Sequence, residues 1–409
     1  MLSNQPNIIE FLQGNLPFYS NYLPQDSYLV GGAVRDILLQ RRREYLDLDF
    51  VVPKQAVSMA RKMAYDYQAG FVLLDKERQI ARVVFSSATI DFAQQEGDTL
   101  IQDLSRRDYT INAIACHCYT GEIVDPFNGQ KDIENRTIKM VSEFNLADDP
   151  LRLLRAYRQA SQLNFIIEKE TILTIRKLAH KLSEIAPERV NTELGYLLAS
   201  KEGNFWLKQA YQDQVLGIWL TNIQAEKLAY LDIVDDTANL LTKQWAYFQQ
   251  LTPDWITLAK LALLTSTQPE LAEIDLLKLK YSRQEIRGVV TILKGLNFLL
   301  NLDDNFSLRE QYFFFLEVGK FFPSLVLLAS AYNLDQSLLT MLINRYMDQN
   351  DLVAHPQPLL SGNDLINQFN LNPSPLIKEL LTEITIAQIE GKIKNIQEAL
   401  QWTKNYLQN

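Results

Sequence analysis

Apolar residues in the first 145 positions fall into short alternating or continuous runs that are typical of β-strands. The runs are rich in β-branched and aromatic residues and are bounded by polar turns, and they cover 28–30, 47–52, 70–74, 81–85 and 89–92. Between them, apolar residues recur on one face of a predicted helix over 56–67. Another apolar run, 111–118, precedes a turn at Gly121 and the pair Ile123-Val124. This pattern predicts an α+β domain built on one mixed or antiparallel sheet with helical cover.

After residue 150 the apolar spacing becomes helical and almost no strand pattern remains. Helices are predicted over 151–163, 171–182 and 187–199, and several more between 205 and 345. The segment 355–362 (HPQPLLSG) holds two prolines and a glycine and predicts a boundary, after which helices resume. The sequence therefore predicts an all-helical second part behind the α+β domain.

The distribution of charge along the chain limits how it could bind a polyanion such as nucleic acid. The chain of 409 residues has a formal net charge of −9, which argues against indiscriminate binding of nucleic acid. Residues 151–200, however, hold 8 basic and 5 acidic groups, between flanking regions that are each acidic. A nucleic-acid partner would therefore have to be held by a local basic patch.

The cysteines and histidines exclude several classes of protein. Cys116 and Cys118 are too few for a disulfide framework or a four-ligand zinc site, and both are expected to be buried. His117, His180 and His355 are scattered, which excludes a histidine-rich metallohydrolase. The N-terminus lacks the pattern of a signal peptide, and no uncharged apolar run reaches 18 residues. We therefore expect no membrane span and a cytoplasmic location.

The first candidate for chemistry is the sequence LVGGAVRD at 29–36, where a strand runs through Gly31 and Gly32 into a helix. Glycines let the backbone approach a ligand closely, and a helix N-terminus offers free N–H groups to phosphate. Arg35 in the first turn adds a bidentate phosphate donor. A tight strand–helix turn without a ligand would have the same local sequence.

The second candidate is the strand LDLDF at 46–50. Alternation places Asp47 and Asp49 on one face, about 7 Å apart. Two carboxylates so close repel each other unless a cation lies between them, and Mg²⁺ prefers a few carboxylates together with substrate phosphates. Asp91, which enters another apolar strand, could be a third carboxylate that activates an attacking hydroxyl. A solvated strand face is the alternative.

The third candidate is DLSRRDYTINA at 103–113, in which two arginines, Arg106 and Arg107, beside Asp108 and followed by Asn112 suit the binding of a sugar-triphosphate. A surface ion pair is the alternative interpretation of the Arg-Arg-Asp triplet.

The fourth candidate is DDPLRLLRAYR at 148–158. Arg152, Arg155 and Arg158 recur on one face of a predicted helix, and Asp149 lies near its start. Three like charges on one face are unfavourable unless an anion or acidic groups compensate them. A solvated basic face remains the alternative.

Taken together, these residues resemble the class II tRNA nucleotidyltransferase and bacterial poly(A) polymerase family. The resemblance is strong over 1–200 and weaker over PLLSGNDLI and EGKIKNIQEAL near the C-terminus. The matching motifs are LVGGAVRD, LDLDF, DLSRRDYTINAIA, DPFNGQKDI (125–133), DDPLRLLRAYRQASQLNF (148–165) and PERVNTEL (187–194).

The resemblance implies a nucleotidyltransferase head (1–145), a helical neck that recognises the base (146–205), a helical body (206–350) and a helical tail that binds tRNA (351–409). Asp47 and Asp49 would bind Mg²⁺. The triphosphate would contact Gly31, Gly32, Arg35 and Arg107, with Asp108 and Asn112 also in the nucleotide site. Asp149 and Arg152 would read the base edge of CTP or ATP, supported by Arg155 and Arg158. The tRNA 3′-hydroxyl would then attack the α-phosphate.

Three departures from the family pattern bear on specificity. Asp148 stands where the family usually has Glu, and Gln159 replaces the usual Phe. Only 12 positions separate Asp91 from Asp103, whereas CCA-adding members usually carry a longer flexible loop there. The short loop resembles the CC-adding subgroup. The chain also lacks any His-Asp pair, which excludes the phosphohydrolase domain of some relatives.

Three functions follow from these observations. The favoured one is a tRNA nucleotidyltransferase that adds C, C or C, C, A to tRNA 3′ ends. A poly(A) polymerase would extend general RNA with ATP, but the net charge of −9 weighs against it. A catalytically inactive RNA-binding module is disfavoured, because both carboxylates of LDLDF are present.

Overall fold

The computed structural model describes residues 8–41, 45–252, 254–302 and 305–408. These residues fall into two compact units that divide between Ile218 and Trp219. An α+β region comes first and helices follow, so the predicted fold class is confirmed.

A seven-stranded mixed sheet forms the centre of the first unit. Its strands are β1 Tyr28–Val30, β2 Leu46–Val52, β3 Gly70–Asp75, β4 Ile80–Val84, β5 Ala88–Gln94, β6 Ala115–His117 and β7 Ile123–Val124. Their spatial order is β3-β4-β5-β2-β1-β6-β7, in which β2 and β5 run parallel and the other neighbours antiparallel. All five strands predicted before residue 93 are present. The run 111–118 forms a 3₁₀ turn, Thr110–Asn112, followed by β6.

Short helices surround this sheet. They are α1 Ile8–Asn15, α2 Gly32–Leu38, α3 Ala56–Asp66, α4 Leu100–Leu104, α5 Gly129–Glu134 and α6 Glu143–Asp148, with a 3₁₀ turn at Ser20–Tyr22. Leu48 and Phe50 of β2 are buried, and Phe50 stacks on Phe92 of β5 at 5.6 Å between ring centroids. Burial of this apolar face leaves the alternate residues of β2, including Asp47 and Asp49, on the opposite face.

Four more helices complete the first unit: α7 Leu151–Leu163, α8 Lys169–Leu178, α9 Pro187–Leu198 and α10 Gly203–Gln212. The predicted bounds of α7 are correct. Helix α8 begins earlier than predicted and passes into a 3₁₀ turn, Ala179–Glu184. A parallel pair of two-residue strands, β8 Thr137–Ile138 and β9 Ile166–Ile167, was not predicted, because two residues give no detectable period.

The regular secondary structure in the described part of the second unit is helical. Their helices are α11 Tyr230–Gln244, α12 Ala246–Gln249, α13 Asp254–Leu263, α14 Pro269–Lys278, α15 Arg283–Leu300, α16 Leu308–Val318, α17 Phe322–Ala331, α18 Gln336–Met347, α19 Gly362–Phe369, α20 Pro375–Ile389 and α21 Ile396–Tyr406, with 3₁₀ turns at Ala225–Ala229 and Gly319–Phe321. Helix α17 packs against α11, α13, α15 and α18. The last three helices share their own apolar cluster, which includes Leu365, Leu380 and Ile384.

The segment Leu308–Ala331 is long and apolar enough to cross a membrane by length and composition alone. Most of its residues are buried inside the second unit, and Gly319 interrupts it with a φ of +49°. These features are typical of two helices in the core of a protein. The charged residues within the segment also argue against a membrane span.

Candidate active site

A cavity of about 340 Å³ opens where β1 passes into α2, beside β2 and α7. It is lined by five arginines, five aspartates and five other residues: Arg35, Arg107, Arg152, Arg155, Arg158, Asp36, Asp47, Asp49, Asp108, Asp149, Gly31, Gly32, Ala33, Asn112 and Gln159. The residues predicted from the four sequence motifs line this cavity, except Asp91 and Arg106. The structure thus brings together side chains from four segments that are distant in sequence.

Gly31 lets the side chains of Arg107 and Asp49 lie close to the backbone. Its φ is +73°, and its N–H donates to the carbonyl of Ile114 at 3.2 Å. A Cβ at this position would lie 2.8 Å from Nη1 of Arg107 and 3.4 Å from Oδ2 of Asp49. The backbone conformation therefore requires glycine, and a Cβ would in addition force the Arg107 guanidinium to move.

Asp47 and Asp49 lie on the cavity face of β2. Burial raises the pKa of Asp49 to about 6; Arg107 opposes this shift, while Asp91 and Asp47 add to it. A carboxylate that ionises reluctantly beside other carboxylates is a suitable ligand for a divalent cation, because the cation compensates the charge. Among the described residues no group of three or more His, Cys, Asp or Glu side chains could hold a metal. A cation here would have two protein carboxylates, with its other ligands from water or phosphate.

Asp91 lies next to Asp49 in the parallel register of β2 and β5. Its two oxygens accept from Nε and Nη2 of Arg82 on β4, at 2.7 and 2.9 Å. This bidentate ion pair joins neighbouring strands, and Asp91 does not line the cavity. Its predicted role as a third carboxylate stays a prediction.

Arg35 is buried, and its guanidinium is held by neighbouring side chains. Nε and Nη2 donate to Oδ1 of Asp36 at 2.9 and 2.8 Å, and Nη1 donates to Oδ1 of Asn112 at 2.7 Å. Arg35 is thus pre-organised at the first turn of α2.

Asp108 is a buried hub of the cavity wall. Its Oδ1 accepts from the N–H of Tyr109 at 2.8 Å and from Nδ2 of Asn112 at 2.9 Å, and Nε of Arg155 lies 3.0 Å from its Oδ2. Burial alone would raise the pKa of Asp108, but Arg155 and these hydrogen bonds hold it below its usual value. The ion pair ties α7 to the segment before the 3₁₀ turn at Thr110–Asn112.

The row of arginines on α7 is fixed by different partners. Nη1 of Arg152 donates to the carbonyls of Arg106 and Asn145, at 2.8 and 3.0 Å. Arg158 pairs through Nε with Glu193 of α9 at 2.5 Å. These contacts compensate the like charges that the sequence places on one helix face.

Asp149 precedes α7 and accepts from Nη2 of Arg189 on α9 at 2.9 Å through its Oδ2. Its other oxygen, Oδ1, is buried and has no hydrogen-bond partner among the described residues. A buried carboxylate oxygen without a donor is costly, so this atom is available to a donor on a ligand in the cavity.

The connection between β5 and α4 is short and well anchored. Glu96 forms ion pairs with Arg78 at 3.7 Å and with Arg106. Thr99 and Gln102 form a capping box at the start of α4, and Oε1 of Gln102 also accepts from the N–H of Asp98 at 2.6 Å. Residues 95–99 are therefore held by contacts at both ends.

Four residues shape this site although no role was predicted for them from the sequence: Arg82, Gln159, Arg189 and Glu193. Arg189 and Glu193 lie four apart in PERVNTEL, so the helical period alone places them on one face of α9. For Arg82 no local signal exists, because only the strand register brings it to Asp91.

Comparison with known proteins gives concordant matches. Residues 27–139 match the family described as the poly A polymerase head domain, and 164–226 match the probable RNA and SrmB-binding site of polymerase A. Residues 249–403 match a putative tRNA nucleotidyltransferase domain 2.

Among curated relatives, the CC-adding tRNA nucleotidyltransferase of Synechocystis sp. is 48% identical over 96% of both chains. The CCA-adding enzyme of Lactococcus lactis subsp. cremoris is 28% identical over 92% of this chain and 91% of its own.

Solved structures share the fold. A CCA-adding enzyme complexed with CTP matches with a TM-score of 0.73 and 22% identity, over 94% of this chain and 91% of that one. The Thermotoga maritima CCA-adding enzyme complexed with a tRNA matches with a TM-score of 0.69 and 23% identity, over 93% and 91%.

Proposed function

This chain belongs to the tRNA nucleotidyltransferase and poly(A) polymerase family and is a nucleotidyltransferase of the CC- and CCA-adding kind, and we propose that it adds two C residues to tRNA 3′ ends from CTP. One observation carries the proposal. A single cavity holds paired carboxylates on β2, and a buried, unpartnered carboxylate oxygen of Asp149 beside the arginines of α7.

The base is read at the end of the cavity that Asp149 and Arg152 line. Oδ1 of Asp149 accepts from the exocyclic amino group that C and A carry, while the Arg152 guanidinium donates to ring nitrogen or carbonyl acceptors. U offers a carbonyl where Asp149 needs a donor, so it leaves this oxygen unsatisfied. Arg155 and Arg158 support this face through their ion pairs with Asp108 and Glu193.

The triphosphate lies against the start of α2. Gly31 and Gly32 let the phosphates approach the backbone, and Arg35 and Arg107 neutralise their charge. The Nε of Arg107 is buried without a hydrogen-bond partner among the described residues, which supports a role in holding an acceptor. Asp108 and Asn112 orient Arg155 and Arg35, respectively, through their side-chain contacts.

The family generally uses divalent metals, and Asp47 and Asp49 are the residues of this chain that fit Mg²⁺. When bound, Mg²⁺ supplies charge neutralisation for the phosphates and lowers the pKa of a coordinated hydroxyl. Asp91 is the candidate for a third carboxylate, since it neighbours Asp49 in the sheet register.

The reaction is attack of the RNA 3′-hydroxyl on the α-phosphate of CTP, with pyrophosphate as the leaving group. The protein contributes mainly orientation and electrostatic stabilisation, because the arginines of the cavity are held in place before the nucleotide arrives.

Two observations support CC addition rather than full CCA addition. The relative that is 48% identical is a CC-adding enzyme, and the β5–α4 connection here is short and anchored by Glu96 and Gln102. A connection held in this way cannot readily reshape the pocket from one that fits C to one that fits A. Binding of tRNA by the helical neck, body and tail, and a cytoplasmic location without membrane attachment, complete the proposal.

The test is incorporation of CTP, in the presence of Mg²⁺, into a tRNA that lacks its CCA end. Asp49→Asn should lower incorporation at least 1,000-fold, on the order expected when a catalytic metal site is removed. Asp26→Asn, a change of an exposed aspartate, should leave the rate unchanged. Undiminished incorporation by Asp49→Asn would refute the metal assignment, and long A tails on unrelated RNA would favour a poly(A) polymerase.

A further inference from the structure

Gln159 is a buried side chain of the cavity wall to which the proposed chemistry gives no role. It lies on α7, one turn after Arg155, and only 3% of it is exposed. A buried amide must have its hydrogen bonds satisfied by neighbours, so its partners reveal what it holds.

Over the part of the chain that the structure describes, the side-chain partners of Gln159 come from the α+β region. Its Oε1 accepts from Nδ2 of Asn112 at 2.9 Å and from Nη1 of Arg35 at 3.4 Å. Its Nε2 donates to Oδ2 of Asp108 at 3.5 Å, the same oxygen that lies 3.0 Å from Nε of Arg155. One side chain therefore touches both the residue that holds Arg155 and the arginine of the first turn of α2.

An amide suits this position because it carries an acceptor and a donor on one planar group. The acceptor faces two donors, Arg35 and Asn112, while the donor faces the Asp108 carboxylate. A carboxylate would repel Asp108, and an apolar side chain would make none of the three contacts.

We propose that Gln159 is a positioning residue that couples the triphosphate end of the cavity, at Arg35, to its base-reading end, at the Asp108–Arg155 pair. The inference rests on the proposed function of the same cavity. The coupling keeps the two sets of arginines in register before CTP binds, so that binding does not have to order them.

Loss of the Gln159 hydrogen bonds should weaken nucleotide binding more than it slows the chemical step. Asp47 and Asp49 do not contact Gln159 through any of these hydrogen bonds, and the ordering of Arg35 and Arg155 is needed equally in the ground state and the transition state. An interaction of that kind changes KM with little change in kcat. We expect a KM for CTP raised about 5- to 30-fold, with kcat within about threefold.

The experiment compares Gln159→Met, an unbranched apolar replacement of similar length, with Gln311→Met in the full-length protein. Gln311 is a matched control, since it is also a buried glutamine but lies on α16 in the second unit. Steady-state kinetics with CTP and a CCA-less tRNA, together with melting temperatures, are recorded for both. A raised KM for CTP in Gln159→Met alone, with the KM for tRNA unchanged, supports the proposal.

A second variant guards against misfolding of the first. Gln159→Glu keeps the acceptor toward Arg35 and Asn112 but sets a carboxylate against Asp108, and it should also raise the KM for CTP. An unchanged KM for CTP in either folded variant, or parallel losses in Gln159→Met and Gln311→Met, overturns the coupling while leaving the proposed function intact. A wild-type protein that adds no C at all would instead refute the proposed function, and the coupling with it.

Discussion

Replacing Gly31 by alanine tests the geometry of the site at its tightest point. The residue has φ +73° and ψ −138°, a conformation that side chains with a Cβ rarely adopt. The added Cβ would meet Nη1 of Arg107 at 2.8 Å and Oδ2 of Asp49 at 3.4 Å. The change therefore strains the backbone and displaces Arg107 together.

The two effects have separate magnitudes. Backbone strain of this kind destabilises by about 1–3 kcal/mol, which corresponds to a Tm lower by roughly 2–12 °C for a unit of this size. Displacement of Arg107 removes a charged hydrogen-bond donor from the triphosphate, about 1.5–3 kcal/mol. We therefore expect kcat/KM for CTP to fall about 10- to 100-fold.

The assay combines thermal unfolding with CTP incorporation into a CCA-less tRNA. Gly195→Ala is the matched control, because Gly195 lies within α9 and a Cβ there would meet nothing within 4 Å. That control should be stabilised by about 0.5–1 kcal/mol and keep its activity. If Gly31→Ala retained both the Tm and the kcat/KM of the wild type, the close approach of Gly31 to Arg107 would be refuted.

Three further changes have defined outcomes. Arg189→Ala should raise the KM for CTP several-fold and lower the preference for CTP over UTP in competition assays, because Arg189 holds Asp149 at 2.9 Å; unchanged selectivity would contradict this. In the presence of a chelator, Asp49→Asn should raise the free energy of unfolding by up to about 3 kcal/mol at pH 8 and leave it unchanged near pH 4. The raised pKa means that ionising Asp49 costs stability as pH rises from about 4 to above 6, so an equal gain at both pH values would count against it. Tyr157→Phe should cost about 1–3 kcal/mol in denaturant unfolding with kcat unchanged, since Tyr157 donates to the buried Asp213 at 2.7 Å; a wild-type midpoint would show that this bond is dispensable.

Features with a strong local period could be predicted from the sequence. The bounds of α7 follow from its apolar spacing, and alternation in LDLDF places Asp47 and Asp49 opposite the buried Leu48. The residues predicted to bind nucleotide and metal line one cavity, because the family resemblance supplies spatial information that no local pattern contains.

Long-range register could not be predicted. Asp91 meets Arg82 only because β4 and β5 pair with a particular alignment, and a shift of two residues would separate them. The contacts of Gln159 depend likewise on how α7 packs against α2 and the Asn112 turn. Such pairings depend on how apolar residues from the whole unit pack together. The local pattern of one sequence does not contain that information.

The most direct test supplies a tRNA that lacks its CCA end with CTP and ATP together and measures the length and terminal sequence of the product. We predict growth by two nucleotides that end in CC, with no A incorporated. Addition of A to the CC end, or failure to incorporate C, would contradict it.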